Sequence, residues 1–187
     1  GADDYLIIDG QQRLTTVSLL LLAIHNNIKN GNVIADSTSL SDKIWDTYIV
    51  DKYQKEHRKI RLKPIKGDCE AYDILVSKSE DEYISSSNVT RNYTYFYNKI
   101  KELPQSITVD DIFDAIKSLV IIDIFLGNED DPQLIFESLN STGLDLSEAD
   151  KIRNYILMGL DGDKQELYYE KYWNKIEKIH LIRLVNL

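Results

Sequence analysis

Residues 5–30 read YLIIDGQQRLTTVSLLLLAIHNNIKN, and the fold turns on how they are understood. Tyr5, Leu6, Ile7 and Ile8 form a short apolar run, the pattern of a strand covered on both faces. Asp9-Gly10 is a turn signal. Leu14, Val17, Leu21, Ile24 and Ile28 then recur at helical spacing, while Leu19, Leu20, Leu22 and Ala23 fill the sides. A helix that is apolar almost all round belongs at the centre of a core. The expectation is a buried strand, a tight turn and a central helix, with a polar, partly cationic corner at residues 9–13.

That corner has the chemistry of an anion seat. The first N–H groups of a helix lack internal partners and carry the positive end of its dipole, so they can receive a phosphate. Gly10 lets a ligand approach the backbone closely. Arg13 can clamp a phosphate through two parallel hydrogen bonds. Gln11 and Gln12 both donate and accept, which suits a base, a ribose or an attacking water. The pattern is not a Walker A loop, because the second glycine and the Lys-Ser/Thr pair are missing. A purely architectural reading also exists: Asp9 caps the helix, Gly10 satisfies the turn and Arg13 pairs with a core carboxylate.

The chain has 187 residues, enough for one domain with a sizeable core. With 43% hydrophobic and 28% charged residues, its composition is that of an ordinary soluble protein. A net charge of -9 argues against nonspecific binding of nucleic acid over the whole surface. A single cysteine, Cys69, excludes an internal disulfide and fits a reducing cytoplasm; it reads as a small buried hydrophobe. The apolar run at residues 17–24 is too short to span a bilayer, and no secretory signal is visible.

Further along, residues 40–50 and 67–76 read as helices, and residues 89–103 as a tyrosine-rich helix with Tyr93, Phe96, Tyr97 and Ile100 on one face. Thr108 opens another, with Asp110 and Asp111 at its positive end and Ile112, Phe113 and Ile116 along one side. Residues 52–66 form a basic island. Within it Lys59, Arg61 and Lys63 alternate with Ile60 and Leu62, which as a strand places three cations on one face. That face is either a solvated edge guarded by lysines or a surface for DNA or phosphate. Residues 119–126, LVIIDIFL, read as a second buried strand, with Asp123 inside it and in need of a cationic partner.

Residues 131–158 read DPQLIFESLNSTGLDLSEADKIRNYILM. Pro132 suits a first helical turn, and Gly143 a left-handed helix end. Ser147 and Asp150 have capping-box spacing for a following helix. Residues 164–187 read as a last amphipathic helix. The fold class expected is α+β: a small mixed β-sheet surrounded by many helices. Residues 1–130 would form the core with helical insertions, and residues 131–187 a helical part.

Two stretches carry a family resemblance. Residues 9–16, DGQQRLTT, and the pattern of Phe136, Glu137, Leu139, Asn140, Gly143, Leu146, Asp150, Ile152, Arg153 and Asn154 resemble the two signatures of the DGQQR family, the N-terminal domain of GmrSD-type restriction proteins. The middle of the chain matches only loosely. The resemblance implies a ParB/sulfiredoxin-like core in which a strand–turn–helix element binds nucleotide phosphates. It implies a cytoplasmic domain that binds and hydrolyses a nucleoside triphosphate and controls cleavage of modified DNA in type IV restriction or phage defence. The alternative is a non-catalytic module that senses a nucleotide or DNA.

On the NTPase reading, Gly10 and Arg13 hold phosphate. Gln11 and Gln12 orient the phosphate or the water. Asp9 positions a water or a magnesium ion, or caps the turn. Asn140 and the backbone near Gly143 approach the nucleotide from the opposite side. Magnesium is expected from nucleotide chemistry, not from any ligand spacing in the sequence. Relatives carry an upstream segment with a Tyr-Gln-Arg element and a downstream HNH-type nuclease. With only His25, His57 and His180 and no clustered metal-ligand set, this chain is expected to lack nuclease activity.

Overall fold

The computed structural model describes residues 9–54, 60–64 and 66–127 as continuous stretches, together with Tyr5, Ile7 and scattered positions from 130 to 176. The chain divides into two compact units, one of residues 10–122 and one of residues 1–9 with 123–187. Among the described residues, the α-helices of the first unit are α1 (Gln11–Lys29), α2 (Leu40–Ile44), α3 (Lys66–Ser77), α4 (Asn88–Lys101) and α5 (Val109–Lys117). A wider π-helical turn, Trp45–Ile49, continues α2.

Helix α1 is the axis of this unit. Leu19, Leu22, Ala23 and Ile24 are at most 1% exposed, as expected for a helix apolar on nearly every side. It packs against α4, α2 and α5, and α3 packs against α4. Leu40 and Ile44 of α2, Ala71, Tyr72 and Leu75 of α3, Val89, Tyr93 and Ile100 of α4, and Val109 and Phe113 of α5 complete the core. The tyrosine-rich face of α4 therefore belongs to the interior at Tyr93, with Phe96 and Tyr97 partly covered.

Polar groups lock the far end of α1 to α4. The Asn26 amide donates to the Tyr93 hydroxyl at 2.7 Å. The buried Asn27 amide donates to the Ala23 carbonyl at 2.9 Å and the Tyr97 carbonyl at 3.0 Å. Asn30 and Asn32 both donate to the Tyr97 hydroxyl, at 2.9 and 2.7 Å. Each such bond contributes about 1 kcal/mol, and leaving a buried partner unpaired costs more. Near the middle, His25 Nδ1 lies 3.0 Å from the Ser41 carbonyl and the ring stacks on Trp45. Burial pushes the imidazole below its ordinary pKa and keeps it neutral.

Helix ends follow the local chemistry. The Ser87 hydroxyl accepts from the Val89 N–H at the start of α4. Thr108 and Asp111 form a reciprocal capping box on α5. Asp110 accepts from the backbone N–H groups of Asp36 and Ser37, tying the loop after α1 to α5.

The expected β-sheet is absent from the described residues. Among the described residues there is no strand, and the β-type pairing seen is an isolated antiparallel bridge between Val50 and Ile60. The described part of the protein is helical, not α+β. At the first expected strand, Tyr5 is 70% exposed and meets Phe125 edge to face at 5.8 Å; Leu6 and Ile8 lie outside the described residues. At the second, residues 119–125 have no regular secondary structure and are not hydrogen-bonded into a ladder, and Val120 and Ile122 are 93% and 84% exposed. Asp123 is exposed too, so it needs no buried cation. The physical reason is that an apolar run states only what its side chains prefer. A strand also requires a neighbour for its N–H and C=O groups, and the helices have already enclosed the core. The helices expected over residues 131–158, with Asn140, Gly143 and Asp150, lie outside the described residues.

Two substitutions separate a helical core from a sheet. Leu22→Ala is expected to cost about 2–5 kcal/mol, the range for truncating a fully buried leucine. Ile122→Ala is expected to change stability by less than about 0.5 kcal/mol, as for an exposed side chain. Urea unfolding of both variants checks this; a loss at Ile122 as large as that at Leu22 would restore the buried strand.

Candidate functional site

The start of α1 is set by a backbone conformation that glycine adopts without strain. Gly10 has φ 85° and ψ 2°, in the left-handed region, and its carbonyl accepts from the Leu14 N–H at 2.9 Å. No side chain caps α1, and its first turn contains no acidic residue, so its positive end is not offset from within the helix. Arg13 is exposed. A methyl group on Gly10 would stand 3.9 Å from Arg13 Nη2, so the guanidinium lies back beside the turn. Asp9 is exposed as well.

Beside this turn is an open cleft of about 300 Å³. On the α1 side its wall consists of Gln11, Gln12, Thr15 and Thr16, with the buried Leu19 beneath. The opposite side is built by Pro64 and Asp68 at the start of α3 and by Asn88, Val89 and Asn92 at the start of α4. Three helix starts thus converge on one hollow whose lining mixes polar side chains with Leu19, Pro64 and Val89. The Thr15 hydroxyl donates to the Gln11 carbonyl and the Thr16 hydroxyl to the Gln12 carbonyl, each at 2.8 Å. These bonds hold both side chains along the helix. Below the cleft, the Ser18 hydroxyl is hydrogen-bonded to the Tyr72 hydroxyl and joins α1 to α3.

Of the expected site residues, Gln11 and Gln12 line the cleft, while Gly10 and Arg13 lie at the turn and outside its wall. Asn140, Gly143 and Lys59 lie outside the described residues. Arg61 does not head a cationic strand: its guanidinium is 3.8 Å from Asp51 and donates to the Asp46 carbonyl at 3.4 Å. Lys52 is paired with Asp46 at 3.2 Å. The basic island is therefore partly neutralised by acids just before it in sequence. Lys63 is exposed.

Sequence reasoning missed Thr15, Thr16, Asp68, Asn88 and Asn92. The threonines were within reach, because they follow Gln11 and Gln12 by four residues and share their face. The other three come from α3 and α4, and only tertiary packing brings them opposite α1. Among the described residues, no group of three or more His, Cys, Asp or Glu could hold a metal ion. Among them, no helix is long and apolar enough to cross a membrane.

The turn makes its own prediction. Gly10→Ala forces a side chain into the left-handed region and is expected to cost about 1–2 kcal/mol. Thermal or urea unfolding measures it. A neutral substitution would mean that the turn relaxes and does not fix the start of α1.

The family model described as the GmrSD restriction endonuclease N-terminal domain matches residues 1–157. No curated protein and no solved structure matches the chain. The family match covers the whole helical unit, the turn before α1 and the cleft beside it. The chain belongs to the family of GmrSD restriction endonuclease N-terminal domains.

Proposed function

We propose that this chain is a regulatory domain that binds and hydrolyses a nucleoside triphosphate within a modification-dependent restriction or phage-defence protein. The observation that carries the reading is the polar cleft beside a helix start that has glycine at its turn and a guanidinium folded next to it. Phosphate would lie at the turn. There Gly10 admits close approach, the helix end supplies positive potential, and Arg13 supplies charge-assisted hydrogen bonds. Gln11 and Gln12 would orient phosphate oxygens or the attacking water, which cleaves the terminal phosphoanhydride bond and releases orthophosphate and the diphosphate. Asp9, next to the glycine, is available to order that water. Magnesium, expected from nucleotide chemistry, would arrive on the phosphates. DNA contact and cleavage would belong to other parts of the full protein, since Lys52 and Arg61 are engaged with acids.

Titration with nucleoside triphosphates, followed by a phosphate-release assay, tests this. Arg13→Ala is expected to lower affinity by about 10- to 100-fold, the worth of a hydrogen-bonded charge. It should leave the unfolding midpoint near that of the parent, because the side chain is exposed. Unchanged affinity would sink the phosphate role of Arg13. Binding without phosphate release would leave the sensing module in place of the hydrolase.

A further inference from the structure

The cleft and the neighbouring guanidinium offer opposite chemistry. Among the described side chains that line the cleft, Asp68 is the ionisable one, and it is an acceptor. The hydroxyl protons of Thr15 and Thr16 are already donated to backbone carbonyls, so towards a ligand those oxygens only accept. The carboxylate and the two accepting hydroxyl oxygens disfavour a neighbouring phosphate, which is itself anionic and acceptor-only. They suit a ligand that presents several donors close together, above all a pair of adjacent hydroxyls. The carboxamides of Asn88 and Asn92 both donate and accept, which suits the edge of a base. The cavity's size, about 300 Å³, is at the small end of ligand sites, room for a sugar with its base and not for a triphosphate tail as well.

We infer that the cleft is the ribose seat of a ribonucleotide, with Asp68 accepting hydrogen bonds from the 2′,3′-diol while the phosphates lie outside the cleft against Arg13. The inference rests on the nucleotide-binding reading above and adds a discrimination: the site takes ribonucleotides in preference to sugars that lack the diol. Asp68 is in the first turn of α3, where an acid also favours the helix dipole, so loss of stability alone would not identify its role. Asparagine at that position keeps the shape and removes the charge.

The test is calorimetric titration of the 187-residue chain with three kinds of probe: ribonucleoside triphosphates, their 2′,3′-dideoxy counterparts and inorganic tripolyphosphate. The parent chain is expected to bind the ribo form about tenfold more tightly than the dideoxy form, because losing the diol removes hydrogen bonds to the half-buried Asp68 carboxylate. Asp68→Asn should erase most of that preference and leave tripolyphosphate affinity unchanged. Thr16→Val, an exposed near-isostere, should narrow the preference without affecting the fold. Arg13→Ala should weaken all three probes. Equal affinity for ribo and dideoxy forms, or a preference that survives Asp68→Asn, would overturn the ribose seat and leave the nucleotide reading standing. Failure of every probe to bind would overturn both.

Discussion

Burial of α1 is the constraint on which the rest of the helical unit depends. A nineteen-residue helix with apolar side chains on nearly every face cannot leave one side to water without large loss. Helices α2, α4 and α5 pack against it, and α3 closes the bundle through α4 and through the Ser18–Tyr72 hydrogen bond. The core is close to all-or-none for this reason: displacing one covering helix exposes Leu19, Leu22 or Ile24. The asparagines at the end of α1 then fix its register against α4, because Asn27 and Tyr97 satisfy one another only in one alignment.

The candidate site follows from the same constraint. Fixing α1 along its length also fixes where it begins, and Gly10 decides the direction from which the chain arrives. The starts of α3 and α4 are carried to the same end because both helices pack alongside. A polar hollow with three helix starts around it is therefore a consequence of how the core is closed. Nucleotide recognition, on our reading, uses a geometry that the apolar interior already enforces.

Much of this was legible in the residues. The periodicity of α1, α3 and α4, the capping residue Thr108 and the turn at Gly10 are local signals, and each falls where local physics puts it. The strands read at residues 5–8 and 119–126 were the error: both runs have strand composition without any sequence record of a partner, and the described residues there form no strand. The full wall of the cleft was also hidden. Asp68, Asn88 and Asn92 look like ordinary helix-start residues, and only the packing of α3 and α4 gives them a common space. The pairing of the basic island was hidden for a related reason: counting charges within residues 52–66 left out Asp46 and Asp51, which the fold brings against Lys52 and Arg61.

Family membership identifies the chain's kin, and the cleft beside Gly10 and Arg13 gives that kinship a physical address. The most direct measurement is an amide-resolved NMR titration with a nucleoside triphosphate. The account predicts that the earliest and largest shifts fall on Gly10, Gln11, Gln12 and Arg13, together with Thr16, Asp68 and Asn92 across the cleft. Shifts confined to the exposed residues 119–125, or an unchanged spectrum at saturating nucleotide, would contradict it.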